Sequence, residues 1–129
     1  MSHYSIYKVA LTGVSIDILK HAITSFARQI GAEIVSSVKW KEDYGRTVEI
    51  GLKTRTLRNG IGFGVDSTGA LTVHGYKEGQ PAEFERVATL AQNYIKAFKV
   101  AQNARSMYPA ATMQMKVLEK EVILEVCTQ

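Results

Sequence analysis

Lys39, Lys41, Arg46, Lys53, Arg55 and Arg58 place six cations within twenty residues, with Trp40 and Tyr44 among them. Cations that follow a phosphate backbone, with aromatic faces on which bases stack, are the parts of a single-stranded nucleic-acid groove. Glu42, Asp43 and Glu49 interrupt the run. A mixed-charge strand face is also what keeps a sheet edge solvated and unpaired with other chains. The second unusual pattern is Gly60-Ile61-Gly62-Phe63-Gly64-Val65. Successive strand side chains point to opposite faces, so Ile61, Phe63 and Val65 share one face and the other is bare backbone. A bare face admits a packed aromatic ring, a neighbouring backbone or a ligand. Gly60, Gly62 and Gly64 are therefore candidates for docking a partner. They do not form a dinucleotide loop, which requires a helix directly after the glycines. Here a hairpin signal and another strand follow.

Other chemistry is sparse. His3, His21 and His74 are far apart, and Cys127 is the single cysteine. A structural zinc site takes about four ligands from such residues, so neither metal nor cofactor is expected. His21 falls with Asp17 and Thr24 on the polar side of a helix. Cys127 reads as a small buried apolar residue. Glu49 and Lys53 suit a surface ion pair, and the remaining acids suit caps, turns and outer faces. Near neighbours supply no nucleophile beside a base. Enzymatic activity is not expected, and no catalytic residue is assigned.

The elements that must position these groups follow from periodicity. Residues from Ser5 to Leu11 alternate as a first strand. Ser15 is an N-cap and Asp17 a first-turn acid. Leu19, Ala22, Ile23, Phe26 and Ile30 recur at helical spacing, and Gly31 stands at the C-cap, which predicts a helix over Ile16 to Ile30. Strands follow over Ile34 to Lys41 and, after the turn Glu42-Asp43-Tyr44-Gly45, around Val48 to Lys53, Ile61 to Val65 and Ala70 to Tyr76, the last two joined by Asp66-Ser67-Thr68-Gly69. Pro81 suits the first turn of a second helix, on which Phe84, Val87, Ala88, Ala91, Tyr94, Ile95, Phe98, Ala101 and Ala104 form the apolar stripe. Pro109 bounds it. From Thr112 to Cys127 alternation returns, through Met113, Met115 and Val117 and then Val122, Leu124 and Val126, as a closing hairpin around the tight turn Glu119-Lys120.

The order β-α-β-β-β-β-α-β-β predicts a single α+β domain over 1–129. It is a mostly antiparallel sheet with two helices on one face, related to the split βαβ (ferredoxin-like) pattern. Leu19, Phe26, Phe84 and Phe98 are expected to cover the sheet. Of the 129 residues 46% are hydrophobic and 22% charged, ordinary for a globular chain. The net charge of +4 and pI of about 9.2 favour contact with polyanions without requiring it. No run approaches the roughly 20 apolar residues of a spanning helix, and the start lacks a secretory pattern. A cytoplasmic protein without membrane contact is expected.

Several segments resemble one small family. Met1-Ser2-His3-Tyr4-Ser5 resembles the "MSHFS" opening of a conserved family of cyanobacteria, red-algal plastids, bacteria, archaea and phages whose function is uncharacterised. Tyr44-Gly45-Arg46-Thr47-Val48-Glu49-Ile50 is similar to its "GY-G-x-T-x-x-(I/V)" strand, and Ile61-Gly62-Phe63 to its "(D/Y)IGF" strand. Phe84 to Tyr94 follows its "F…I…Y" helix. Leu71 to Tyr76 departs from the family's "VADW"-like segment. The resemblance implies no catalytic residues. It implies a small protein often encoded near AAA-type ATPases and ferredoxin-like proteins. The sequence thus favours a non-enzymatic interaction module, an accessory subunit or adaptor of a larger machine such as an AAA-type ATPase, with homo-oligomers compatible. The alternative is a single-stranded nucleic-acid or RNA-binding protein using Lys39, Trp40, Lys41, Tyr44, Arg46, Lys53, Arg55 and Arg58. A small-ligand-binding or enzymatic domain stands third.

Overall fold

Ser15 has extended backbone geometry, and its hydroxyl accepts the Ile18 N–H at 3.1 Å, capping helix α1 (Ile16–Ile30). Gly31 ends α1 in the left-handed region, at φ +70°, where a side chain would be strained. Leu19, Ala22, Ile23, Phe26 and Ala27 are buried along one stripe. His21 is exposed, its ring bonded to the Asp17 carbonyl. Both helix bounds are those that the capping residues predict.

The computed structural model describes residues 4–8, 11–36, 48–76 and 80–127. The further elements are β1 (Tyr4–Lys8), β2 (Glu33–Ser36), β3 (Ile50–Lys53), β4 (Ile61–Val65), β5 (Leu71–Tyr76), α2 (Pro81–Met107), β6 (Thr112–Val117) and β7 (Val122–Cys127). The predicted order of elements is the one observed. The strand proposed over 34–41 is described as far as Ser36, and the turn at 42–45 lies outside the described residues.

Five strands form one sheet in the order β1-β5-β4-β3-β2, each pair antiparallel. Four successive reversals leave β1 and β2 parallel at opposite edges. The chain passes from one to the other through α1, a split β-α-β unit with three strands in the gap. Phe63 is in register with Ile50 and Val73, and Ile61 with Leu52 and Gly75. These side chains lie on the helix-covered face and join Leu19, Ile23, Phe26, Phe84, Tyr94 and Ile95 in one core. Each fully buried Leu, Ile or Phe contributes about 1.5–3 kcal/mol.

The connections are built from local chemistry. Asp66 accepts hydrogen bonds from the Thr68 N–H, the Thr68 hydroxyl and the Ala70 N–H, folding the β4–β5 turn. Leu57 is fully buried and exchanges backbone bonds with Thr54, pinning the β3–β4 loop to the core. At the end of β5, Gly75 admits the ring of Phe84. The packed aromatic that a glycine can accommodate is met here, on the core face.

The buried positions of α2 form a wider arc than one apolar stripe requires. Its neighbours explain this, since it packs against α1, β6 and β7. Leu118 donates to the Glu121 carbonyl at 2.8 Å, closing the β6–β7 hairpin around Glu119-Lys120. Met113, Met115, Val117, Val122 and Leu124 are half-buried, and the alternate positions are exposed. Cys127 corrects one expectation. It is exposed, because it stands opposite Thr112 on the outer face of the hairpin. Among the described residues no helix is long and apolar enough to cross a membrane.

Candidate functional site

The cationic segment divides at the boundary of the described residues. Lys39, Trp40, Lys41, Tyr44 and Arg46 lie outside them. Lys53, Arg55 and Arg58 are exposed at the end of β3 and in the β3–β4 loop, held by the buried Leu57. Lys53 stands in register with Glu33, and the expected ion pair of Glu49 with Lys53 is not among those formed by the described residues. The same end of the sheet also carries acid. Glu83, near the start of α2, bonds Arg86 and Thr56, and these hydrogen bonds, Arg86 first, hold its carboxyl below the usual range against a smaller opposing effect of burial. Asn59 N–H reaches the Gln80 side-chain oxygen at 3.5 Å. The loop is thereby fastened to α2 on one side while its arginines face outward.

The glycine pattern yields a different arrangement. β4 is an interior strand, paired on both sides, so Gly62 and Gly64 offer a face and no edge. Gly62 stands opposite Gly51 on β3 and His74 on β5, and Gly64 stands opposite Thr72. Gly60 is in the preceding turn at φ +76°. Gly51, Gly60, Gly62, Gly64, Thr72 and His74 are all buried. His74 Nε2 and the Thr72 hydroxyl share a hydrogen bond of 2.8 Å, His74 being only 4% exposed. The bare patch thus comprises Gly51, Gly62 and Gly64 beside a buried polar pair. Gly51 had a visible signal, since it separates Ile50 from Leu52 as Gly62 separates Ile61 from Phe63. The juxtaposition of His74 had none, because register is not written in one strand.

A third region gathers groups that sequence reasoning did not single out. Gln29 on α1 donates through Nε2 to the Met115 carbonyl at 2.9 Å, and its Oε1 accepts the Val117 N–H at 3.1 Å. These backbone groups point away from β7, as alternate residues in an antiparallel ladder must. Gln29 therefore occupies part of the outer edge of β6, as a neighbouring strand would. Ser25 and the Tyr94 hydroxyl hydrogen-bond beside it, and the Tyr94 ring packs tilted on Phe26 with centroids 5.5 Å apart. Between this network and the end of α2 runs an open groove of about 240 Å³. α1 contributes Ser25 and Gln29, β6 contributes Met113 and Met115, and α2 contributes a row from Tyr94 through Phe98 and Ala101 to Gln102 and Arg105.

Residues 108–111 join the end of α2 directly to β6, placing Met107 and Tyr108 at the same end of the molecule as the Met113–Val126 pair. Met107 is 70% exposed, Tyr108 53% and Val126 40%. These three apolar side chains face solvent. Among the described residues no three His, Cys, Asp or Glu side chains are placed to hold a metal ion. Comparison with protein families, curated proteins and solved structures gives no match to this chain.

Proposed function

We propose that this protein is a non-enzymatic interaction module, an accessory subunit or adaptor, whose docking end is formed by the close of α2 and the open end of the β6–β7 hairpin. The exposure of Met107, Tyr108 and Val126 at one end carries this reading. Apolar side chains clustered in water are what association removes from solvent. The resemblance to the "MSHFS" family makes an AAA-type ATPase the first partner to try. The expected result is a stoichiometric protein captured by the tagged full chain after nuclease treatment. The double variant Met107→Glu, Val126→Glu loses that protein at an unchanged thermal midpoint. Equal capture by both chains, or none by either, overturns the docking end.

The β3–β4 loop supports a second reading, because Leu57 holds Lys53, Arg55 and Arg58 outward on a fixed turn. Binding of a single-stranded nucleic acid through them would weaken steeply as salt rises, through counterion release. It would be lost on Lys53→Ser, Arg55→Ser, Arg58→Ser. Binding that ignores both salt and these substitutions removes that reading.

A further inference from the structure

The hairpin leaves part of a sheet edge unused beside a cation. Met113 lies in the same outward-facing series as Met115 and Val117. Gln29 takes the Met115 carbonyl and the Val117 N–H. The Met113 N–H and carbonyl take no partner among the described residues, nor does the Arg105 guanidinium. No acidic side chain lines the groove that both border.

We propose that this groove binds an extended segment of a protein partner, added as a short antiparallel strand to the outer edge of β6. The segment carries an apolar side chain followed two residues later by a carboxylate. This rests on the reading of the chain as an interaction module and names the chemistry of the partner. A residue opposite Met113 would exchange both backbone hydrogen bonds with it, as in strand addition generally. Directly opposed residues put their side chains on the same face. That of the incoming residue therefore enters the groove with Met113, against Phe98 and Ala101.

Spacing fixes the second group. Two strand residues advance about 7 Å, and the four helical residues from Ala101 to Arg105 advance about 6 Å. α2 runs toward Arg105 while β6 runs away from it, so a strand antiparallel to β6 travels with α2. Its side chain two positions on arrives at Arg105, where a carboxylate completes the charge. A free short-chain acid would satisfy Arg105 and the apolar lining but would leave the Met113 backbone unpaired. The open edge is what favours a peptide.

The test is an amide-resolved NMR titration of the full 129-residue chain. The probe is the blocked peptide acetyl-Thr-Val-Thr-Glu-Thr-amide. Shifts are expected at the Met113 and Met115 amides. Glutamine in place of the peptide's glutamate should weaken binding about twofold to fivefold, the range of an exposed ion pair. Arg105→Gln should cost the same and make the two peptides equal. Methylating the valine nitrogen, which leaves the protein untouched, should abolish the shifts. Silence at these amides at millimolar peptide overturns the proposal. So does equal binding of the acid, amide and N-methyl peptides, or hexanoate matching the peptide. If the groove is silent while Met107→Glu, Val126→Glu still loses a captured partner, the groove alone falls and the docking end stands.

Discussion

Gly75 combines a positive φ of +150° with a tight position in the core. A Cβ there would lie 2.7 Å from Phe84 Cε2 and 3.2 Å from the Gly60 carbonyl oxygen. Gly75→Ala is expected to lower stability by about 1–3 kcal/mol, the range of overpacking, read from urea midpoints. Phe84→Leu in the same chain should return part of the loss, and equal midpoints for wild type and Gly75→Ala would show that the ring yields freely. The alternating glycines of β4 announce themselves in the sequence, whereas Gly75 does not, because its constraint comes from a side chain on a different element. Glu83 gives a pH-dependent counterpart. Its carboxyl is held below the usual range by Arg86 and then Thr56, so the folded state favours its charged form. That stabilisation is fully present above the ordinary carboxylate value of about 4.3 and is lost as pH falls from there through the depressed value. Thermal midpoints of wild type and Glu83→Gln should converge across that window. A gap unchanged by acid would remove the ion pair as its cause.

Between elements, the outcome depends on groups that lie far apart in the chain. Gln29 and Met115 are separated by 86 residues, yet the Gln29 side-chain amide joins α1 to β6 through two hydrogen bonds to the β6 main chain. Gln29→Ala should cost about 1 kcal/mol for each bond. Amide exchange at Val117 should accelerate more than exchange in β4, because the hairpin edge loosens before the main sheet does. A uniform change across both would mean that Gln29 acts on global stability and not on docking of the hairpin. The same contrast explains what was legible. Ser15, Gly31 and Pro81 mark helix ends through their own backbone and side-chain chemistry, so the helix bounds follow from local sequence. The turns at Asp66 and at Glu119-Lys120 are equally local. The placement of β1 beside β5, and the groove beneath β6, depend on register and on which faces meet. Cys127 differs for another reason: its expected burial came from residue type, whereas alternation with Val122, Leu124 and Val126 already puts it on the opposite, outer face of the hairpin.

For the whole molecule, α2 is the shared layer, with the five-stranded sheet and α1 against one part of its surface and the hairpin against another. Met115, Val117 and Val122 pack on the core formed with the sheet. The hairpin is therefore a lid on apolar surface that the main sheet leaves uncovered. Ending the chain after Ala110 would remove that lid and expose side chains such as Phe98 that line the space beneath β6. Exposed apolar surface of this kind binds other apolar surface, including a second copy. The shortened chain is expected to keep its β-sheet signal by circular dichroism, to bind an apolar dye, and to self-associate with concentration in light scattering. If it is monomeric and dark to dye, the helices bury their own apolar surface, and the hairpin serves only as a presented edge. If it loses its sheet altogether, the two sheets form one cooperative unit. Docking at β6 would then stabilise the whole fold, and a bound peptide should raise the thermal midpoint of the intact chain in proportion to its occupancy.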